Sequence, residues 1–355
     1  MSEAALNPRI IPVLALAPVR VERLTISSRI AGMLCVVAIA AMLAMPWWSN
    51  AGTMRRVVEL SCYLAVAQMW NLLAGYSGLV SVGPQAFIGA GGYALYVLSL
   101  KFGVNPFLAV GLSVVLPASL AVPAYALLHR LDGPYFAIGT WVVAEVVRLI
   151  TTNLDYVNAG AGLTLRVMSQ FSAHQRDIGL VWLSAALLVV TVGGLFWLLQ
   201  SRYGLALTAM RDNPVAAESQ GVNVRRLRFV VFVLAAAGSG LAGAIYYMAQ
   251  LRITPASGFN PQWASICVFI VMVGGIGSIE GPIIGALIYF LADRFFSQYG
   301  AAYMVVLGIV TVLIALYART GVWGLICRVV DAPWFPIGRK LIRSPRSSPE
   351  GKAPL

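Results

Sequence analysis

Apolar runs of helix length follow one another along this chain, separated by short polar or glycine-rich joints. Short alternating segments, the mark of a barrel, do not organise the pattern, so the runs read as helices. A helix crossing about 30 Å of hydrocarbon takes about 20 residues. Runs near that length cover 30–48, 57–74, 85–100, 106–128, 134–152, 178–200, 229–250, 263–279, 282–296 and 301–318, which predicts about ten spans. No charge falls between Glu59 and Lys101, a stretch too long for one span, and Gly75, Gly78, Gly83 and Pro84 divide it. Trp47 and Trp48 close the first run, where interfacial aromatics belong.

Composition removes the alternatives. Of 355 residues only 11% are charged and 59% are apolar, against about 25% charged in an ordinary soluble domain. A water-soluble enzyme cannot cover its surface with so few polar groups, and disorder requires the opposite balance. The fold class is therefore all-α, a polytopic membrane helical bundle. Cys35, Cys62, Cys267 and Cys327 are isolated from one another, and only His129 and His174 join them as soft ligands. Neither a metal site, a disulfide framework nor an embedded catalytic constellation is indicated. No cofactor is expected. The apolar run from Ile11 to Ala17 is interrupted by Pro12 and is too short to span, so it reads as an uncleaved tail.

Charge then orients the bundle. With both tails in the cytoplasm, Lys and Arg number 17 on the inner segments and 7 on the outer ones, with Arg148 inside a span. The positive-inside rule favours that arrangement. It also accounts for the net charge of +12 without nucleic acid, since a basic rim on anionic lipid suffices. The predicted division is a cytoplasmic tail over 1–29, a transmembrane domain over 30–318 with a long inner loop at 201–228, and a basic cytoplasmic tail over 319–355.

Two segments are dense in glycine: six among the eighteen residues of 75–92 and five among the twelve of 274–285. Such density allows either close helix packing or a backbone break lining a substrate route. A G-x-G-x-x-G at Gly238, Gly240 and Gly243 lies inside an apolar run with no strand before it. It is not a nucleotide fingerprint; Ala236, Gly240 and Ala244 form a small-residue packing face instead. Glu59, Glu145, Arg148, Glu280, Asp293 and Arg294 are the charges in or near hydrocarbon, where ionisable groups are costly. Glu145 and Arg148 stand at i,i+3 and can neutralise each other.

Loop 201–228 is the most informative stretch. Asn213 suits an N-cap, Pro214 a first helical residue and Gly221 a stop, predicting a two-turn helix over 214–220. A helix so short needs a surface to dock on: either the membrane or a partner protein.

This loop resembles the cytoplasmic coupling segment of ABC-importer permeases, most of all the LivM family of branched-chain amino acid permeases. The resemblance continues through NLLAGYSGLVSVGPQAFIGAGGYA (71–94), LDGPYFAIGTWVVAEVVRLI (131–150), NAGAGL (158–163), GPIIGAL (281–287) and GVWGLI (321–326). One departure is Gly83-Pro84-Gln85, where the family carries a Gly-His pair, and it bears on the solute. The resemblance implies a multi-pass permease of a bacterial inner membrane, paired with a second homologous permease. Two cytoplasmic ATP-binding subunits would drive it and a periplasmic substrate-binding protein would load it. Consistent with that, no GxxxxGK[ST] phosphate loop occurs in the chain. The expected ATPase-coupling residues are Arg211, Asp212, Asn213, Pro214, Glu218 and Gly221, and the expected pathway residues are Gln85, Phe87, Phe136 and Asn153. Branched-chain amino acids lead as solutes, with urea and short amides as the alternative; a stand-alone channel or ion-coupled carrier is the reading from another class.

Overall fold

The computed structural model describes residues 19–22, 26–318, 320–329 and 340–343, so most of both expected tails lies outside the described residues. Fourteen helices follow in order: α1 (Ile26–Ala44), α2 (Ala51–Tyr76), α3 (Gln85–Leu100), α4 (Pro106–Leu128), α5 (Pro134–Asn153), α6 (Ala173–Gln200), α7 (Arg202–Asp212), α8 (Pro214–Ser219), α9 (Val224–Gln250), α10 (Pro255–Gly258), α11 (Gln262–Gly274), α12 (Glu280–Phe296), α13 (Ala301–Tyr317) and α14 (Gly321–Val329). Four short strands make two antiparallel pairs: β1 (Val19–Glu22) with β4 (Lys340–Arg343), and β2 (Leu163–Thr164) with β3 (Arg252–Ile253). Pairing β1 with β4 brings the two ends of the described chain together.

Among the described residues six helical stretches are long and apolar enough to cross a membrane, α10 with α11 (255–274) counting as one, and seven if the bent pair 302–317 and 321–328 is also one span. The predicted count of ten is not reached on length and composition. The apolar helices 32–47 and 85–100 fall short of full span length, and α12 carries Glu280, Asp293 and Arg294 within its 17 residues. Boundaries also move. Helix α2 starts at Ala51 and not near 57, because Asn50 Oδ1 accepts from Thr53 N–H at 3.0 Å. Helix α6 starts at Ala173 behind a capping box of Ser172 and Gln175, not near 178. Caps, not hydropathy, set those ends. Arg55 and Asp177, on these polar first turns, approach to 3.4 Å.

The core forms around α2 and α9. In its most apolar window α2 is 72% buried, whereas α5 is 17% buried and faces outward. Glycine lets α3 lie against α9: a Cβ at Gly91 would collide with the Gly240 carbonyl, and one at Gly243 with the Ile88 carbonyl. The packing face expected around Gly240 is thus present, and glycines 83, 89, 91 and 92 also sit in close contact with neighbouring elements. At 1.5 Å per residue, the 27 residues of α9 cover about 40 Å. Its two ends therefore lie on opposite sides of the bundle.

Candidate functional site

Helices α7 and α8 stand at the end where α9 begins. Asn213 Oδ1 accepts from Ala216 N–H at 3.1 Å, and Pro214 fills the first helical position. Gly221 takes φ +86°, with its N–H donating to Glu218 O at 2.9 Å and that of Val222 to Ala217 O at 3.1 Å. These bonds close the helix at Ser219, one residue before the predicted end. Ala217 is buried against the bundle, while Val215, Glu218 and Asp212 face out. Val215 is 73% exposed, beside the acidic Asp212 and Glu218.

Arg211, also exposed, touches the bundle as well. It lies 3.6 Å from Asp212, and its Nη1 packs on Gly277 so closely that a Cβ there would sit 2.7 Å away. Gly277 belongs to the loop joining α11 to α12, and that loop is pinned to α2. Asn71 Nδ2 donates to Ser278 O at 2.8 Å, while Asn71 Oδ1 accepts from Gly277 N–H at 2.8 Å. Gln68 Nε2 donates to Ile279 O at 2.7 Å. Both amides are fully buried, and a buried amide bonded to loop backbone fixes that loop, since breaking the bonds would strand polar groups. Gly275, at φ +133°, meets Thr320 and Trp323 at the start of α14. Four elements thus converge on 275–281: α2 through a π-helical turn at Leu72–Tyr76, α7 through Arg211, and α12 and α14 directly.

Two cavities flank the length of α9. The one where α9 begins, about 420 Å³, is lined by Tyr125, His129, Arg225 and Phe229 among others. Arg225 Nη2 lies 3.0 Å from His129 Nε2. The other, about 520 Å³, opens at the far end among Tyr63, Tyr246, Arg252 and Trp263. Between them stands an aromatic cluster: Phe232 meets Phe87 at 5.6 Å, Tyr125 at 5.6 Å and Phe136 at 6.2 Å. A void of only about 20 Å³ remains beside Phe87, Phe232 and Ser239, about one water in size. The structure therefore brings Phe87 and Phe136 together. Gln85, buried at the start of α3, keeps its Oε1 without a hydrogen-bond partner. Asn153 is apart from them, exposed on α5 and bonded to its own helix at Leu149 O. Glu145 and Arg148 do pair on the same helix.

A family model described as the permease component of a branched-chain amino acid transport system matches residues 52–315. This chain belongs to that family. The permease shares 24% identity over 312 residues with the high-affinity branched-chain amino acid transport system permease protein LivM of Escherichia coli K12, covering 81% of this chain and 73% of that one. A probable branched-chain amino acid transport permease protein LivH of Methanocaldococcus jannaschii is 28% identical over 70% of this chain and 85% of its own. The ribose import permease protein RbsC of Escherichia coli K12 is 24% identical over 80% and 90%. No solved structure matches the chain. Sequence reasoning on this permease missed Asn71, Gln68 and the cavity around Arg252. Two buried amides three residues apart on α2, amid an uncharged run, were the available signal for the first pair.

Proposed function

We propose that this multi-pass membrane protein is the permease subunit of an ABC importer for branched-chain amino acids in a bacterial inner membrane, with both termini cytoplasmic. A binding protein delivers solute at the Arg252 end, a second homologous permease completes the pathway, and two ATP-binding subunits grip the α8 end. The observation that carries this reading is the capped, outward-facing α8 backed by Arg211 on the pinned loop. Helix α8 is only six residues long, and such a helix gains its stability from what it packs against. The convergence of β1 and β4 supports termini on one side. The route runs along α2 and α9, past the aromatic cluster of Phe87, Phe136 and Phe232 with Gln85 nearby, while Asn153 stands on the outer approach.

In this scheme ATP-driven closure of the ATPases displaces α8. Arg211 passes the displacement to loop 275–281 and so to α2 and α12, biasing the bundle between its inward- and outward-open states. Asp212 and Glu218 make the polar contacts to the ATPase, and Val215 the apolar one. Charge reversal tests it: Arg211→Glu and Glu218→Lys are each expected to lower leucine uptake severalfold, with Glu218→Lys also weakening ATPase association. Normal uptake and normal association in both variants would refute the docking assignment.

A further inference from the structure

The cavity at the far end of α9 is lined by an exposed arginine. Arg252 lines the cavity, and its side chain has neither an ion-pair nor a hydrogen-bond partner among the described residues. Its backbone, by contrast, is fixed by the antiparallel pairing of Thr164 with Arg252. The guanidinium therefore hangs from a held main chain into open volume. Three rings build a wall beside it: Trp263 meets Tyr246 edge-on at 4.8 Å and Tyr63 at 5.6 Å, and Tyr63 meets Tyr246 at 6.1 Å. Tyr63 Oη donates to Glu59 Oε1 at 2.9 Å, which commits its hydroxyl to a group on its own helix and holds the ring in place. Ile266 adds an apolar surface.

These groups are complementary to a molecule with an anionic end, a cationic end and an apolar branch. A guanidinium fork matches a carboxylate with two parallel hydrogen bonds. Aromatic faces attract an ammonium group. The volume of about 520 Å³ falls within the usual range for small-ligand sites, about 300–1,000 Å³. We propose that this cavity is the outer acceptor site for an aliphatic α-amino acid, with Arg252 holding the carboxylate, the Tyr63 and Tyr246 rings holding the ammonium, and Ile266 with Trp263 receiving the side chain. The assignment rests on the amino-acid reading of the transported solute.

The test is equilibrium binding of radiolabelled leucine to the full-length chain in lipid nanodiscs without its binding protein. Unlabelled leucine, 4-methylpentanoate and 3-methylbutylamine serve as competitors. Wild type binds leucine saturably and better than either single-charge competitor. Arg252→Gln weakens leucine by roughly tenfold or more, the loss expected for a charge-assisted pair, and leaves 3-methylbutylamine unchanged. Arg252→Lys restores part of the affinity. Tyr63→Leu weakens the amine and spares 4-methylpentanoate. Arg294→Gln, an exposed arginine not on the cavity wall, changes nothing. Leucine uptake by the assembled transporter is followed in parallel. Uptake in wild type together with unaltered leucine binding in Arg252→Gln overturns the site and leaves the function standing. No ATP-dependent leucine uptake in wild type overturns the function and the site's assignment with it.

Discussion

The two glycine-rich segments have similar density in sequence and do different work in space. In 75–92 the glycines from 83 onward bring helices together: Gly83 abuts the Thr140 carbonyl, Gly89 the Phe259 ring and Gly91 the Gly240 carbonyl. In 274–285 Gly274, Gly281 and Gly285 pack in the same manner. Gly275 and Gly277, however, adopt φ +133° and +76° in a loop that four elements share. One segment is cement and the other a joint. Glycine count alone does not separate them, nor does the sign of φ, since Gly78 is also left-handed at φ +72°; the buried amides of α2 that bond the 277–279 backbone do.

Substitution separates them most sharply. Gly91→Leu forces a side chain into the Gly240 backbone and is expected to destabilise by about 3 kcal/mol, the upper part of the overpacking range. Thermal unfolding in detergent should show stability and transport falling together; a Leu variant of normal stability would show that α3 and α9 are not in close contact. Gly277→Ala carries a left-handed penalty of about 1–2 kcal/mol and displaces Arg211. Uptake should fall several-fold more than thermal stability predicts, while ATP hydrolysis by the assembled transporter continues. Parallel losses of uptake and stability would make the joint mere packing. The smallest effect is expected on the partner-facing side. Asn213→Ala removes the cap of α8 and costs about 1 kcal/mol of local helix stability, read as faster amide exchange over 215–219 and a modest drop in ATPase association.

How legible was this in the sequence? The apolar runs located the helices of the bundle, because lipid demands uncharged segments with internally bonded backbone. The ends were less legible, since Asn50 and Ser172 extend α2 and α6 with polar turns that hydropathy does not register. The α8 segment was readable almost to the residue, because capping at Asn213, Pro214 and Gly221 is local chemistry. The joint was not. Asn71 and Ser278 are 207 residues apart, and nothing local in either stretch announces the bond. The Arg252 cavity was hidden for the same reason: Tyr63, Tyr246 and Trp263 meet only when α2, α9 and α11 pack. Arg211 was expected at the coupling surface; it is exposed, and the sequence did not show that its guanidinium also packs on Gly277. Exposure of a charged residue in a loop does not fix the direction of a long side chain.

Helix α9 starts at the Asn223 cap, three residues past the end of α8's closing turn, and runs unbroken to Gln250, two residues before Arg252. Helix α6 relaxes through a π-helical turn at Val189–Gly193, but α9 contains no such give. In the coupling scheme proposed above it is a pushrod: a tilt imposed at the α8 end arrives at the Arg252 end without being taken up along the way. Under that scheme, force from the ATP-binding subunits reshapes the receiving pocket in a single rigid stroke, and a solute seated there is sensed through the same shaft.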